Sequence, residues 1–345
     1  MKSSAARFLT LTTCMSVKAL RNVGLVFIKP HAATATVDTF VREHLAAAGV
    51  KVVDSGIKQA SEIDGQKLID QHYGSLAQLA MDTAPADLAL TPAAIDAFQS
   101  TYGLPWAEAI GSTMKNGDAL RSLGVDGQEL ERMWRGGKDL KLAPGTYISQ
   151  LDKPGDAVWT INGFYPAMRQ AFVAPGASIR YMVCEWEESE LSWKSFRRDV
   201  IGATDPADAA AGSCRAEMRS RWEELGLTSE PSMKENGVHA SAGPLEGLKE
   251  RCVWCGSDLV TDAFAAELVA AGIDAPTLDA WLRENPVVTL GGETDKLFDL
   301  TEEMGCDAVM QLCRSWKPPA PPKGGESGAA PESAPPAGFA WGGVY

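Results

Sequence analysis

The order of strands and helices in this sequence predicts an α+β fold, in which an antiparallel sheet carries helices on one face. Residues 22–28 form a short apolar run typical of a buried strand, an amphipathic helical pattern runs from Val37, and residues 51–57 form a second strand. Much further along, residues 177–186 form the best strand of the second half, and a short strand then precedes a helix opened by Pro244. Two such strand–helix–strand units make the split βαβ, ferredoxin-like arrangement.

The chain divides into segments by composition and pattern. The two strand–helix–strand units are the halves of one domain, and the stretch between them is rich in helical and loop signals. Beyond Trp316, proline and glycine dominate without periodicity, which is typical of disorder. The predicted segments are an N-terminal extension (1–21), the first half of the domain (22–76), a mostly helical insertion (77–156), the second half (157–257), a helical C-terminal region (258–316) and a disordered tail (317–345).

Composition limits the partners of this protein. The 345 residues are 45% hydrophobic and 22% charged, values that suit a folded protein with a sizeable core. The net charge of −13 argues against a nucleic-acid binder that relies on a general positive field, so an anionic substrate would need a local basic pocket. No run of about 18 apolar residues occurs, so a membrane is not an expected partner. Because of the negative net charge, a nucleic acid is not an expected partner either.

Two features bear on the cellular compartment. The first residues are basic, with no acidic side chain before Asp38, which suits either a mitochondrial transit peptide or an ordinary extension. The seven cysteines are odd in number and sparse, which indicates reduced thiols rather than a disulfide framework. A cytoplasmic location is expected, with a mitochondrial one as the alternative.

Four of the cysteines could form a zinc site, namely Cys252, Cys255, Cys306 and Cys313. Ordinary buried thiols are the favoured interpretation.

Six short segments follow one another along the chain in a recognisable order. They are IKPH from Ile28, HYGSL from His72, GFYPAM from Gly163, RDVIGATDP from Arg198, AGSCRAEM from Ala211 and NGVHASAGPLEGLKE from Asn236. In the same order they resemble the IKPDA, HY-x-x-L, FF-x-x-L, R-x-x-x-G-x-T-x-P, PGTIRGDF and N-x-x-HGSDS segments of the nucleoside diphosphate kinase family. The resemblance covers about half the chain, and six matches in order indicate the fold of that family.

This resemblance implies catalytic roles for three side chains. His239 corresponds to the nucleophile that becomes phosphohistidine, and an imidazole that is unprotonated near neutral pH can accept and release a phosphoryl group. Glu250, in the helix that follows, corresponds to the residue that holds the other ring nitrogen and fixes its tautomer. Lys29 and Asn236 correspond to residues that contact the ribose hydroxyls, and Lys29 also corresponds to one that reaches the γ-phosphate.

The resemblance also implies a nucleotide pocket and a cofactor. Arg198, Thr204 and Arg215 match phosphate ligands, and spacing to the following glycine and threonine favours Arg198 over its neighbour Arg197. Cations around the equatorial oxygens are what phosphoryl transfer requires. Mg²⁺ is the implied cofactor and would bridge phosphate oxygens rather than sit in a protein cage. The remaining implied nucleotide-binding residues are Tyr73 near the phosphates, Phe164 and Met168 against the base, and Ser241 from the retained serine of the histidine motif.

Several positions depart from the family pattern. The aspartate of IKPDA is His31 here, and the aspartate of HGSDS is Ala242, which removes a carboxylate from beside the phosphates. The insertion at 77–156 separates Tyr73 from Phe164, which are near neighbours in the usual pattern. An insertion at a loop preserves a fold when its two ends stay close in space.

Three functions are compatible with these residues. The first is a kinase that moves the γ-phosphate of a nucleoside triphosphate to a nucleoside diphosphate by a ping-pong route through His239. The second is a catalytically weak or inactive nucleotide-binding or scaffold module, and the third is a related phosphohistidine or nucleotide-hydrolysing enzyme with a narrower substrate. Nucleoside triphosphates and diphosphates are the expected partners, within a homo-oligomer or a larger assembly. The retained histidine, lysine, arginines, threonine, asparagine and glutamate favour the kinase.

Overall fold

The computed structural model describes residues 21–143 and 145–316 of the chain. Within them the protein is a mixed α/β structure with two four-stranded sheets, one two-stranded sheet and many helices. Among the helices of this described part, none has the length and apolar character needed to cross a bilayer. The predicted disordered tail and nearly all of the predicted N-terminal extension, including the candidate transit peptide, lie outside the described residues.

The two predicted strand–helix–strand units form one sheet. The first unit comprises β1 (Asn22–Ile28), α1 (Ala35–Ala47), β2 (Lys51–Gln59), α2 (Ala60–Gly65) and α3 (Leu68–Tyr73). The strand and helix boundaries agree closely with the apolar runs of the sequence. The main sheet has the order β2, then the strand Ser178–Trp186, then β1, then the strand Val238–Ala240, and every neighbouring pair is antiparallel.

The main sheet is covered on both faces, whereas the sequence pattern was interpreted as helices on one face only. Val26 and Ile28 of β1 pack in a core with the buried side chains of α1, while Leu25 and Phe27 pack in a second core with α3 and Trp254. The physical reason lies in β1 itself. Its run is apolar at consecutive positions rather than alternating, which is the pattern of a strand buried on both sides.

The middle segment contains strands as well as the predicted helices. Its elements are α4 (Ser75–Met81), α5 (Pro92–Tyr102), α6 (Trp106–Ala109), β3 (Thr113–Met114), α7 (Asn116–Leu123), α8 (Gly127–Gly136), β4 (Asp139–Ala143), β5 (Thr146–Gln150) and β6 (Trp159–Ile161). The four strands form a separate sheet in the order β3–β6–β5–β4. Residues 139–142 alternate polar and apolar side chains, the signal of a strand with one buried face. This sheet has its own core, which includes Phe98, Trp106 and Trp159.

The second half of the main domain carries the residues that the sequence singled out. Its elements are α9 (Tyr165–Val173), β7 (Ser178–Trp186), α10 (Trp193–Ser195) with a π-helical turn over Phe196–Ile201, α11 (Cys214–Ser220), β8 (Val238–Ala240) and α12 (Pro244–Cys255). In the main sheet β8 lies at an edge beside β1, with His239 opposite Phe27. This register places the histidine beside the most buried strand.

The C-terminal region packs against α12. It comprises α13 (Ala263–Ala270), α14 (Ala275–Glu284), the hairpin of β9 (Val287–Leu290) and β10 (Glu293–Lys296), α15 (Leu297–Thr301) and α16 (Cys306–Cys313). Leu245 and Leu248 of α12 belong to its apolar core. Arg251 ties the two parts together, since its Nη2 lies 2.7 Å from Asp262 Oδ2 while its Nη1 donates to the carbonyl of Val23. The region thus holds the helix that follows His239.

The four cysteines considered for zinc are free thiols. Burial raises the pKa of Cys252, Cys255, Cys306 and Cys313 to about 12 in each case, so they are held in the neutral form. In the described residues, one group of side chains has donor atoms close enough together to hold a metal ion. This group contains no cysteine.

Candidate active site

The turn before β8 fixes the position of His239. Gly237 has φ +83°, and a Cβ there would lie 2.4 Å from Met218 Cε, so only glycine fits. Its carbonyl accepts a hydrogen bond from the backbone N–H of Lys29 at 2.8 Å, and its own N–H donates to His31 Nε2 at 3.1 Å. The end of β1 and the start of β8 are therefore tied together, with Lys29 and His239 on neighbouring strands.

His239 is held by one ring nitrogen and reachable by solvent. Its Nε2 lies 2.6 Å from Glu250 Oε1, its ring stacks on Phe27 with centroids 4.7 Å apart, and 21% of the side chain is exposed. With Glu250 ionised, Nε2 carries the proton, so Nδ1 keeps a free lone pair. Nδ1 has no hydrogen-bond partner among the described residues. Nδ1 is therefore the ring nitrogen with a lone pair that could act as a nucleophile.

Glu250 is buried and accepts two hydrogen bonds. Besides His239, the hydroxyl of Ser241 donates to its other oxygen at 2.5 Å, and only 1% of the carboxylate side chain is exposed. Burial raises the pKa of Glu250, while the hydrogen bond from the Ser241 hydroxyl acts in the opposite direction. Gly247 lets α12, which carries Glu250, lie close to β1, because a Cβ at this position would be only 2.9 Å from the carbonyl oxygen of Val23.

We expect Ser241→Ala to destabilise the fold by about 1–3 kcal/mol, because it leaves a buried carboxylate oxygen and the N–H of Leu25 without a partner. The free energy of unfolding in urea measures this loss. The matched control is Ser220→Ala, whose exposed hydroxyl bonds only to a carbonyl one turn back in its own helix. Equal stabilities of the two variants would contradict the role given to Ser241.

His72 is a second histidine in the site. Its ring meets that of His239 edge to face at 4.7 Å, and its Nδ1 lies 3.5 Å from Glu250 Oε1. The indole N–H of Trp254 donates to the same Nδ1 at 3.3 Å, so that nitrogen carries no proton and His72 makes no ion pair with the carboxylate. Burial lowers the pKa of His72 to about 3, in agreement with a neutral ring.

Three cations and one carboxylate act on the pKa of His239. Burial lowers this pKa to about 3, the carboxylate of Glu246 opposes the shift, and the charges of Lys29, Arg215 and Arg197 add to it. Burial, followed by the charge of Arg215, lowers the pKa of Lys29 to about 8. The guanidinium of Arg215 donates to the carbonyls of Gly202 and Val238 at 2.8 Å, and burial lowers its pKa to about 10. Lys29 and Arg215 are thus a local group of positive charge in an acidic protein.

Arg197, rather than Arg198, belongs to this set of cations. Arg198 is 64% exposed and forms a two-pronged pair with Asp199, so the structure does not bring it to the site. Spacing alone favoured Arg198, but the π-helical turn of this segment shifts which side chain faces inward. Arg197 Nη1 is bound by two carboxylates of the C-terminal region, Glu302 at 2.5 Å and Glu303 at 3.1 Å.

Two buried polar atoms of the predicted pocket are unpartnered in the described residues. Asn236 donates to the carbonyl of Thr204 at 2.9 Å, but its Oδ1 accepts nothing. The Nε of Arg215 is likewise without an acceptor. Buried donors and acceptors are almost always satisfied, so this acceptor and this donor suit a ligand. Thr204 contributes its backbone to the arrangement, and its side chain is exposed.

The predicted aromatic residues divide between the site and the middle segment. Tyr73 meets His72 edge to face at 5.0 Å, and burial raises its pKa to about 12. Phe164 instead packs on Trp134 at 5.4 Å in the core of the middle segment. Met168 packs in a cluster with Ala77, Ala80 and Tyr165. Both side chains are only partly buried, and the base sandwich that they were expected to form stays a prediction.

Sequence reasoning assigned no role to His72 or Glu246. Glu246 Oε2 accepts from the backbone N–H of Ala242 at 2.6 Å, and burial raises its pKa to about 7, with Glu250 adding to the effect. It thus supplies a carboxylate beside the position where the family's aspartate is lost. Its spacing of four from Glu250 on one helix is a signal that was available, as was the place of His72 directly before Tyr73.

Comparison with known proteins gives weak similarities. No family model matches the chain, and no curated protein matches it. Solved structures that resemble it include nucleoside diphosphate kinases from Encephalitozoon cuniculi (14% identity, TM-score 0.33, covering 69% of this chain and 90% of that chain) and Pyrobaculum aerophilum (16%, 0.34, 68% and 96%). Another is the enzyme from Borrelia burgdorferi with bound vanadate and ADP (15%, 0.31, 68% and 87%). All three likenesses have identities of 16% or less and TM-scores of 0.34 or less.

Proposed function

We propose that this protein is a nucleoside diphosphate kinase-like phosphotransferase that moves the γ-phosphate of a nucleoside triphosphate to a nucleoside diphosphate through a phosphohistidine on His239. One observation carries the proposal: Glu250 holds Nε2, which leaves Nδ1 unpartnered, while the backbone of Lys29 and the guanidinium of Arg215 are bonded to Gly237 and Val238, the two residues directly before His239. The order β2–β7–β1–β8 with antiparallel pairing supports a split βαβ, ferredoxin-like core for this site.

The proposed reaction has two half-steps. In the first, the Nδ1 lone pair attacks the γ-phosphorus, an N–P bond forms, and the P–O bond to the departing nucleoside diphosphate breaks. The ring then carries positive charge, which the buried carboxylate of Glu250 stabilises through Nε2–H. In the second, a terminal phosphate oxygen of another nucleoside diphosphate attacks the same phosphorus and the N–P bond breaks. The neutral imidazole is restored, so the route is ping-pong.

The cations would stabilise the transferred group. Charge spreads over its equatorial oxygens in the transition state, and catalysis depends on positive groups placed in advance. Lys29, Arg215 and Arg197 are the candidates. The unpartnered Oδ1 of Asn236 is suited to a ribose hydroxyl, since a hydroxyl donates to an amide oxygen.

The residues around His239 do not form a magnesium cage. The converging donors are His72, His239 and Glu250, of which two offer nitrogen, and Mg²⁺ prefers oxygen ligands. All three are already engaged with one another and lie near cationic side chains. Magnesium would therefore arrive on the phosphate oxygens of the nucleotide and be part of the substrate.

We expect Lys29 to set the alkaline limit of the reaction. Its pKa is about 8, so it is cationic below that pH and neutral above it. The kcat/KM, which reports the free enzyme, should fall by up to about tenfold per pH unit above pH 8. In Lys29→Arg the side chain stays charged, so the decline should move above about pH 9.5. An unchanged decline in that variant would contradict the assignment.

Two observations favour the second function, a nucleotide-binding module with little turnover. Arg197 is paired with Glu302 and Glu303, so its charge is already balanced by carboxylates of the protein. Phe164 packs on Trp134 in the core of the middle segment. Such a module would bind nucleotide with the same cations but pass no phosphate.

Initial-rate kinetics distinguish the two functions. When the ATP concentration is varied at several fixed concentrations of GDP, a phosphohistidine route gives parallel lines in a double-reciprocal plot. The same route lets labelled ADP exchange into ATP without any other nucleotide. Binding of nucleotide by calorimetry with neither exchange nor turnover would reject the kinase and leave the module.

A further inference from the structure

A cavity of about 210 Å³ lies on the side of α12 that faces α3, α4 and α14. Its wall is mostly apolar, and six of the side chains that line it are Gln71, Gln78, Lys249, Cys252, Val253 and Leu282. Pockets for drug-sized ligands are about 300–1,000 Å³ in volume, so this cavity suits a smaller molecule.

Lys249 is the feature of the cavity that calls for a ligand. Its ammonium donates to the carbonyl of His72 at 3.0 Å and lies 5.5 Å from the centre of the Phe298 ring. No carboxylate of the described residues lies within ion-pair distance of it. Asp279, which also lines the cavity, is paired with Arg283 at 2.8 Å. Burial lowers the pKa of Lys249, although the carboxylates of Glu250 and Glu246 oppose this.

We propose that this cavity binds a small monocarboxylate with an apolar body, whose carboxylate pairs with the ammonium of Lys249. A partly buried ammonium that has no ion pair is stabilised by an anion. The amide of Gln78 offers further donors, as does the second amide N–H of Gln71, whose Nε2 already donates to the carbonyl of Gln66 at 2.7 Å. Cys252, Val253 and Leu282 suit the apolar part. The wall of the cavity offers too few hydrogen-bond donors to replace the water around a more highly charged anion such as phosphate, so we do not expect phosphate to bind there.

The cavity adjoins the candidate active site without being part of it. Lys249 precedes Glu250 in α12, and the carbonyl that it binds belongs to His72, whose ring contacts His239. A molecule in the cavity would thus contact the helix that carries Glu250, the helix that carries His72, and the C-terminal region. The proposal goes beyond the phosphotransferase function and does not depend on it.

The test uses hexanoate as the probe, with 1-hexanol as the uncharged molecule of equal length, and calorimetry on the full chain. Hexanoate should bind saturably and at least about tenfold more tightly than hexanol, a difference of about 1.4 kcal/mol. Lys249→Met should remove this preference, whereas Lys141→Met, at an exposed position of the middle sheet, should keep it. Leu282→Trp should fill the cavity and weaken the binding of both molecules.

The comparison of hexanoate with hexanol in the unaltered protein tests the proposal even where a variant fails to fold, and circular dichroism checks each variant. Equal affinity for the two molecules, no saturable binding of hexanoate, or full retention of its preference in folded Lys249→Met would each overturn the proposal.

Discussion

Replacing His239 with glutamine is expected to abolish phosphoryl transfer, with a loss of at least about a thousandfold in kcat. Glutamine retains much of the size of the ring and a polar group for Glu250, but it has no lone-pair nitrogen that can attack phosphorus. Loss of the nucleophile from a covalent route leaves only the binding groups, which is why the expected effect is so large. The measurement is the rate of GTP formation from ATP and GDP.

The control is His44→Gln. His44 lies on α1, where its Nε2 is 2.9 Å from the carbonyl oxygen of Val200, and it has no part in the proposed reaction. We expect its activity to stay within about threefold of the unaltered protein, as for a change remote from the chemistry. If His239→Gln kept more than about a tenth of the activity while folding normally, transfer through His239 would be wrong.

Replacing Arg215 with methionine is the second change with a large expected effect. Loss of one preorganised donor from a transition state commonly costs about a hundredfold to a thousandfold in kcat. Arg215 is held by the carbonyls of Gly202 and Val238, so its guanidinium is fixed in advance next to Lys29 and His239. We expect kcat/KM for ATP to fall by about this amount.

Arg198→Met provides the matched comparison. This exposed guanidinium pairs with Asp199 alone, so its removal should change kcat/KM by less than about threefold. Arg197→Met should lower kcat/KM by more than Arg198→Met does, because the charge of Arg197 acts on His239. Thermal unfolding of each variant separates a loss of structure from a loss of activity. A larger effect at Arg198 than at Arg215 would contradict the geometry.

The strands around the site could be predicted because their apolar runs are short and bounded by turn residues. Asn22–Ile28 and Ser178–Trp186 agree with the predicted strands to within a residue, and α12 begins at Pro244 as predicted. What periodicity did not show was the second covered face of the sheet. The consecutive apolar run of β1 is the pattern of a strand buried on both faces, but the helices that cover the second face come from distant parts of the sequence, and no local pattern identifies them.

The contacts among His239, Ser241 and Glu250 are local ones that a sequence can predict. His239, Ser241 and Glu250 are close in sequence on one strand, turn and helix, so local geometry alone brings them together. The choice between Arg197 and Arg198 depends on a π-helical turn, which spacing rules based on regular helices do not anticipate. The position of Phe164 depends on a middle segment packed against it from far away in sequence, and no local pattern reports such a contact.

A phosphoryl group on His239 can be detected by incubating the protein with γ-labelled ATP and magnesium and then mapping the label to a peptide. We expect acid-labile, base-stable label on the peptide that contains His239, absent from His239→Gln and released as labelled GTP when GDP is added. Label on another residue, or no label in a protein that binds ATP, would contradict the proposed phosphohistidine.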